Sequence, residues 1–222
     1  MSSKILAGKI LDLTTRPKSD KLYGMNIPNA LTIFRVAASP ALMGLLLVDD
    51  IHARLAALIL FMMAGLSDLF DGMIARRRNQ ETGFGRFMDP IADKLLISMA
   101  LISFVALNMA AAWVVLVIIA REFLIMGLRT LVAYRGEVME SSWMAKAKTF
   151  LQMASVAAIL CCVFARDAVE AGWLPGSWLS GPGARMTADA LLYLAMAMTL
   201  ASGLDYIYKS RWLILSLFRD NF

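Results

Sequence analysis

Apolar runs of about twenty residues recur along the whole chain, and no other feature narrows the fold as much. A helix of ~20 residues matches the thickness of a bilayer's hydrocarbon core. Inside lipid the backbone must satisfy its own hydrogen bonds, and a helix does so within one segment. The runs predict spans over residues 29–48, 53–77, 90–109, 112–134, 146–166 and 187–208. The expectation is an all-α polytopic membrane protein with six transmembrane helices in one domain, residues 26–210. Of the 222 residues 59% are hydrophobic and 18% charged, against about a quarter charged in a soluble domain. Little chain is left for a second, soluble unit.

The flanks have their own character. Residues 1–25 place Lys4, Lys9, Arg16, Lys18 and Lys21 among Ile5, Leu6, Ile10, Leu11 and Leu13. That roughly helical period predicts an amphipathic helix lying at the membrane surface. The stretch has neither the unbroken apolar core nor the small-residue cleavage site of a signal peptide. Asn26-Ile27-Pro28-Asn29 reads as a helix start. Residues 167–186, punctuated by Gly172, Pro175, Gly176, Gly181, Pro182 and Gly183, read as an irregular loop. Residues 211–222 are too short to span, and Trp212 and Phe218 beside Arg211 and Arg219 suit an interfacial tail.

The net charge of +5 raises nucleic acid as a partner, so its placement has to decide. The basic residues flank apolar segments and form no basic face interleaved with aromatics. That pattern fits anionic lipid headgroups and excludes a nucleic-acid groove. One set of loops holds Arg76, Arg77, Arg78, Arg86, Arg135, Lys146, Lys148, Lys209, Arg211 and Arg219 with the N-terminal five; the opposite set holds only Arg54, Arg166 and Arg185. The positive-inside rule then puts both termini on the cytoplasmic side of an inner, cytoplasmic membrane. Cys161 and Cys162 are adjacent within an apolar run and read as small fillers. His52 reads as a solvated loop residue beside Asp49 and Asp50.

Charge inside the spans is scarcer and more informative. The second span ends Ser67-Asp68-Leu69-Phe70-Asp71-Gly72-Met73-Ile74-Ala75-Arg76, and the third opens Gly85-Arg86-Phe87-Met88-Asp89-Pro90-Ile91-Ala92-Asp93-Lys94. Asp68 and Asp71 stand three apart and Asp89 and Asp93 four apart, so each pair shares a helix face. Four carboxylates brought together at low dielectric repel one another unless neutralised. Arg76 and Lys94 offset part of that charge, and a hard cation offsets more. Oxygen-only ligands point to Mg²⁺ or Mn²⁺, and such ions favour phosphate-bearing substrates. Gly72 and Gly85 leave the backbone open to a ligand. The residues also admit arginine-paired structural carboxylates, or the ion path of a transporter. A transporter holds such groups near the midplane of two related halves, whereas these crowd one end of one hairpin.

Asp68-x2-Asp71-Gly72-x2-Ala75-Arg76-x8-Gly85-x3-Asp89-x3-Asp93 resembles the signature of the CDP-alcohol phosphotransferase family. Eight fixed residues over 26 positions leave little room for coincidence. The resemblance implies a six-helix membrane fold, usually a homodimer, with a polar cavity open to the cytoplasm. It implies transfer of a phospho-alcohol or phospholipid moiety from a CDP-linked donor with release of CMP. On the same ground Asp68, Asp71, Asp89 and Asp93 would bind metal. Asp68, Gly72, Ala75, Arg76 and Gly85, with Asn29 and Thr32, would line the CDP site. Asp93 would be the base that activates the acceptor hydroxyl.

Residues outside the motif bear on the acceptor. Arg121 and Arg129 lie eight apart on one side of the fourth span, and Lys146 and Lys148 open the fifth. With Arg35 they predict a cationic pocket for an acceptor that carries its own phosphate. A choline or ethanolamine acceptor would call for acidic or aromatic partners instead. The residues equally admit an Arg121–Glu122 pair and lysines placed only by the positive-inside rule. Asn26 to Arg35, Met88 to Lys94, Ala120-Arg121-Glu122, Gly127-Leu128-Arg129 and Lys146-x-Lys148-Thr149-x2-Gln152-Met153 resemble the family's bacterial branch that joins CDP-diacylglycerol to sn-glycerol 3-phosphate. Ala145, where that branch tends to have glycine, the long 167–186 loop and the first 25 residues depart from it. Inositol phosphate, serine and phosphatidylglycerol are the competing acceptors.

Overall fold

The computed structural model describes residues 27–78, 83–134, 143–176 and 180–219, and for 27, 28, 68–78, 83–87, 89, 134, 143–146, 210 and 212–219 the backbone alone. The expected surface helix of residues 1–25 lies outside the described residues. Six helices make up the described chain: α1 Ile27–Leu47, α2 Ile51–Arg78, α3 Gly83–Ala106, α4 Ala112–Tyr134, α5 Trp143–Glu170 and α6 Pro182–Arg219. Helix α1 packs on both α2 and α3, α5 packs along α6, and α6 also covers α4, while α2 and α3 reach α5.

Helix ends follow local chemistry. The Asp50 carboxylate accepts the Ala53 amide at 2.9 Å, capping the exposed donors at the start of α2. This places His52 in the first turn of α2 rather than in a loop; it stays exposed, its ring edge-on to Trp173 at 5.1 Å. Helix α3 ends where Asn108 takes a left-handed φ of 57° and the Met109 amide reaches back to the Phe104 carbonyl at 2.7 Å. Helix α5 ends the same way at Gly172, φ 74°, with Trp173 N–H on the Ala168 carbonyl at 2.8 Å. Pro182 then opens α6, a position where its missing N–H costs nothing. The loop expected over 167–186 therefore shrinks, because α5 runs to Glu170 and α6 starts at Pro182. The tail expected from 211 onward is likewise continuous with α6 as far as Arg219; nothing in Tyr208–Arg219 breaks a helix.

The bundle is polarised along its length. Its apolar core, with Leu42, Leu46, Phe61, Leu101, Phe104, Ile118, Ile159 and Leu160 at its centre, fills the end near the α1–α2, α3–α4 and α5–α6 links. Cys162 is buried in it and both cysteines are free, as expected of apolar fillers. The other end buries Thr32, Arg35, Glu122, Lys148, Gln152 and Ser202. Large apolar side chains such as Leu116, Phe150 and Leu204 face outward, 68–74% exposed. In water such a surface would drive association; in lipid it is the ordinary exterior. Asn29–Leu47, Ala147–Glu170 and Pro182–Lys209 are long and apolar enough to cross a membrane, with mean hydropathy 1.8, 1.7 and 1.5. Charge interrupts the apolar runs of α3 (Asp93, Lys94) and α4 (Arg121, Glu122, Arg129). These features are those of a multi-pass membrane protein.

One ion cluster braces the apolar end. Arg54 is 5% exposed and its guanidinium binds Asp167 of α5, itself 8% exposed, and Asp49 at 2.9 Å. Removing one member of a buried pair strands the other charge, which typically costs about 3–5 kcal/mol. Asp167→Ala is expected to lower the melting temperature of the detergent-solubilised protein clearly, whereas Asp49→Ala, whose side chain is 96% exposed, changes it little. Equal effects would mean that burial does not set the strength of this cluster.

Candidate active site

The polar end is assembled by helices whose chain directions alternate, so the beginnings of α1, α3 and α5 meet the ends of α2, α4 and α6. Along α1, Asn29, Thr32 and Arg35 follow at three-residue intervals and so share a face. Thr32 and Arg35 are each 1% exposed. The Arg35 guanidinium donates to Oδ1 of Asp93 on α3, and the Asp93 side chain remains 39% exposed. This pair ties α1 to α3 and fixes the rotamer of the carboxylate.

Asp68 and Asp71 lie on α2 near its end, and Asp89 lies on α3 one turn before Asp93. Their side chains, with those at Gly72, Ala75, Arg76 and Gly85, lie outside the described residues. Among the described residues no three metal-capable side chains come together, three of the four aspartates falling outside that set. The donor chemistry itself fits a hard divalent cation. The four aspartates would offer only carboxylate oxygens, and the Asp93 carboxylate is partly open to solvent.

Next to Asp93, the side chain of Lys94 turns to Glu122 of α4, which is 5% exposed. Glu122 is a hub. Besides Lys94 it accepts Lys148 of α5 and Nη1 of Arg121 at 3.3 Å. A buried carboxylate is tolerated only when paired and hydrogen-bonded, and three cations from three helices supply that. Lys94 therefore serves Glu122, where the sequence suggested a counter-charge for the aspartates.

These groups line a cleft of about 270 Å³ between α3, α4, α5 and α6. Five cationic side chains, Lys94, Arg121, Arg129, Lys148 and Lys209, face two carboxylates, Glu122 and Asp205. Lys209 is held by Asp205 at 2.8 Å, and Arg129 lies 5.9 Å from the centre of the Tyr206 ring. The surplus positive charge in a walled cleft attracts anions. Arg121 and Arg129 share the cleft with Lys148, as their spacing suggested. Arg35 is not part of its lining; its guanidinium is turned to Asp93. Lys146 has its side chain outside the described residues. The contribution of α6 was not anticipated: Ser202, Asp205 and Tyr206 complete the wall. The signal available for them was a polar run, Ser202-Gly203-x-Asp205-Tyr206, interrupting an otherwise apolar span.

Residues 25–201 match the profile of the family described as CDP-alcohol phosphatidyltransferase. Among characterised proteins, the chain is 40% identical over 197 residues to the CDP-diacylglycerol–glycerol-3-phosphate 3-phosphatidyltransferase of Bacillus subtilis, covering 83% of this chain and 95% of that one. It is 36% identical over 191 residues to the Escherichia coli K12 protein of the same name, covering 84% and 95%. The protein of that name from Rickettsia bellii is 43% identical over 128 residues, 58% of this chain and 71% of that one. With its aspartate motif, its cationic cleft and a matched region spanning most of its length, the chain belongs to the CDP-alcohol phosphatidyltransferase family.

Proposed function

We propose that the chain transfers the phosphatidyl group of CDP-diacylglycerol to the hydroxyl of sn-glycerol 3-phosphate, giving phosphatidylglycerol phosphate and CMP. One observation carries the choice of acceptor: Arg121, Arg129 and Lys148 line one cleft together with Lys94, the residue after Asp93. An acceptor phosphate held there by charge-assisted hydrogen bonds brings its hydroxyl toward α3. Asp93, oriented by Arg35, takes the hydroxyl proton once within hydrogen-bond reach. Attack on the diacylglycerol-bearing phosphate then breaks its bond to the CMP phosphate. Asp68, Asp71, Asp89 and Asp93 would hold Mg²⁺ or Mn²⁺, which when bound neutralises charge on the donor's phosphates. Asn29, Thr32, Gly72, Ala75, Arg76 and Gly85 would receive the cytidine diphosphate portion.

In this reading all six helices cross the inner membrane. The basic loops, both termini and the polar end of the bundle lie on the cytoplasmic side. Lipid surrounds the apolar exterior, and the protein works as a homodimer. The relatives' names support the donor and acceptor, and the excess of cations supports an acceptor that is itself anionic.

The test is CMP release by the detergent-purified protein. CDP-diacylglycerol with glycerol 3-phosphate and Mg²⁺ or Mn²⁺ is expected to give CMP and phosphatidylglycerol phosphate. Serine, inositol phosphate or phosphatidylglycerol in place of glycerol 3-phosphate is expected to give little, and excess chelator to stop the reaction. No CMP with glycerol 3-phosphate, or release undiminished by chelator, would remove the acceptor or the metal from the scheme. Solute flux in proteoliposomes without CDP-lipid would favour a transporter instead.

A further inference from the structure

Arg121 is held in the cleft by contacts from two helices. Its Nη2 donates to the hydroxyl of Ser202 on α6 at 2.7 Å, and that hydroxyl in turn donates a hydrogen bond to the Thr199 carbonyl at 3.1 Å. Ser202 is 4% exposed, so this bond is largely shielded from solvent. Beside it the guanidinium crosses the backbone of α6 at Gly203. A Cβ on Gly203 would stand 2.9 Å from Nε of Arg121 and 3.5 Å from its Cγ, with nothing but Arg121 atoms that near. Nε has no hydrogen-bond partner among the described residues, which fits an edge laid flat against bare backbone. Glu122 fixes Nη1 from the opposite side at 3.3 Å.

We infer that Ser202 and Gly203 form a cradle on α6 that positions Arg121 for the acceptor's phosphate, so α6 tunes acceptor affinity without reacting. Ser202 sets the guanidinium's rotation through one fixed hydrogen bond. Gly203 supplies the missing volume that lets the side chain lie in the plane needed to serve Glu122, Ser202 and the cleft together. Any side chain at 203 pushes the guanidinium off this line, because the backbone of α6 cannot give way as an arginine can. The inference rests on the cleft being the acceptor site.

Gly203→Ala separates positioning from folding. Alanine is favoured over glycine within a helix, and the three atoms nearest its Cβ all belong to the flexible side chain of Arg121, so the melting temperature should hold or rise. The KM for glycerol 3-phosphate should increase about tenfold, the loss expected for a misplaced charge-assisted hydrogen bond. The KM for CDP-diacylglycerol should stay within about twofold, and kcat should change less than the acceptor KM. Ser202→Ala should raise the acceptor KM similarly, and Ser202→Thr, which keeps the hydroxyl, should restore it. Arg121→Ala is the reference. If it leaves the acceptor KM unchanged, the cleft is not the acceptor site and the cradle falls with it. If it raises that KM while Gly203→Ala and Ser202→Ala do not, the acceptor site stands and the cradle alone is overturned. A fall in melting temperature with donor and acceptor KM rising together would mean that 203 is a packing position.

Discussion

Asp93→Asn is expected to abolish CMP release, with kcat falling by about 10³-fold, within the range general base catalysis contributes. The substitution keeps size and lets an amide oxygen still accept from Arg35, so the α1–α3 link survives. What it removes is the ability to take a proton and one negative charge among the four aspartates. Binding of CDP-diacylglycerol should be largely kept, since three carboxylates and the α1 face remain, and titration of the donor onto the variant checks this. Turnover at the wild-type rate would take the base role away from Asp93. Loss of donor binding along with turnover would make Asp93 a donor-site ligand first.

Glu122→Ala has the largest expected effect on stability. It strands Lys94, Lys148 and Arg121 around an empty, buried position, a loss on the order of 3–5 kcal/mol. For a chain of this size that corresponds to a melting temperature lower by roughly 10 °C. The same stranded cations give the variant a signature of its own. A phosphate dianion in the cleft replaces part of the missing carboxylate, so glycerol 3-phosphate should raise the melting temperature of Glu122→Ala more than that of the unmodified protein. Glu122→Gln keeps the shape without the charge and should fall between the two. An unchanged melting temperature in Glu122→Ala would mean that the three cations do not depend on this carboxylate.

The two sets of residues differ in how far sequence spacing revealed them. The aspartates, Gly72, Ala75, Arg76 and Gly85 lie close in sequence on one helical hairpin, where period 3.6 fixes which of them share a face. The acceptor cleft is different in kind. Arg121 and Arg129 are local to α4, but Lys148 lies 26 residues from its partner Glu122 and Ser202 lies 81 from Arg121. Their meeting depends on how α5 and α6 pack, which no local period encodes. Arg35 shows the same limit: its charge was plain, but its partner was not. Its pairing with Asp93, 58 residues on, is a contact that no spacing along the chain foretells.

The sequence by itself determined the membrane-spanning helical class, the aspartate motif and the family, because apolar run length and short-range spacing are properties of the chain alone. The tertiary structure decided the rest. It extended α5 and α6 into what had read as loop and tail, since a left-handed Gly172 and a Pro182 at the first turn end and start helices sharply. It made Glu122 a hub for three cations and set Arg121 against Ser202 and Gly203. A charge buried in a bundle takes the partners that packing brings within reach, and those are chosen by the contacts of whole helices rather than by neighbours in the chain.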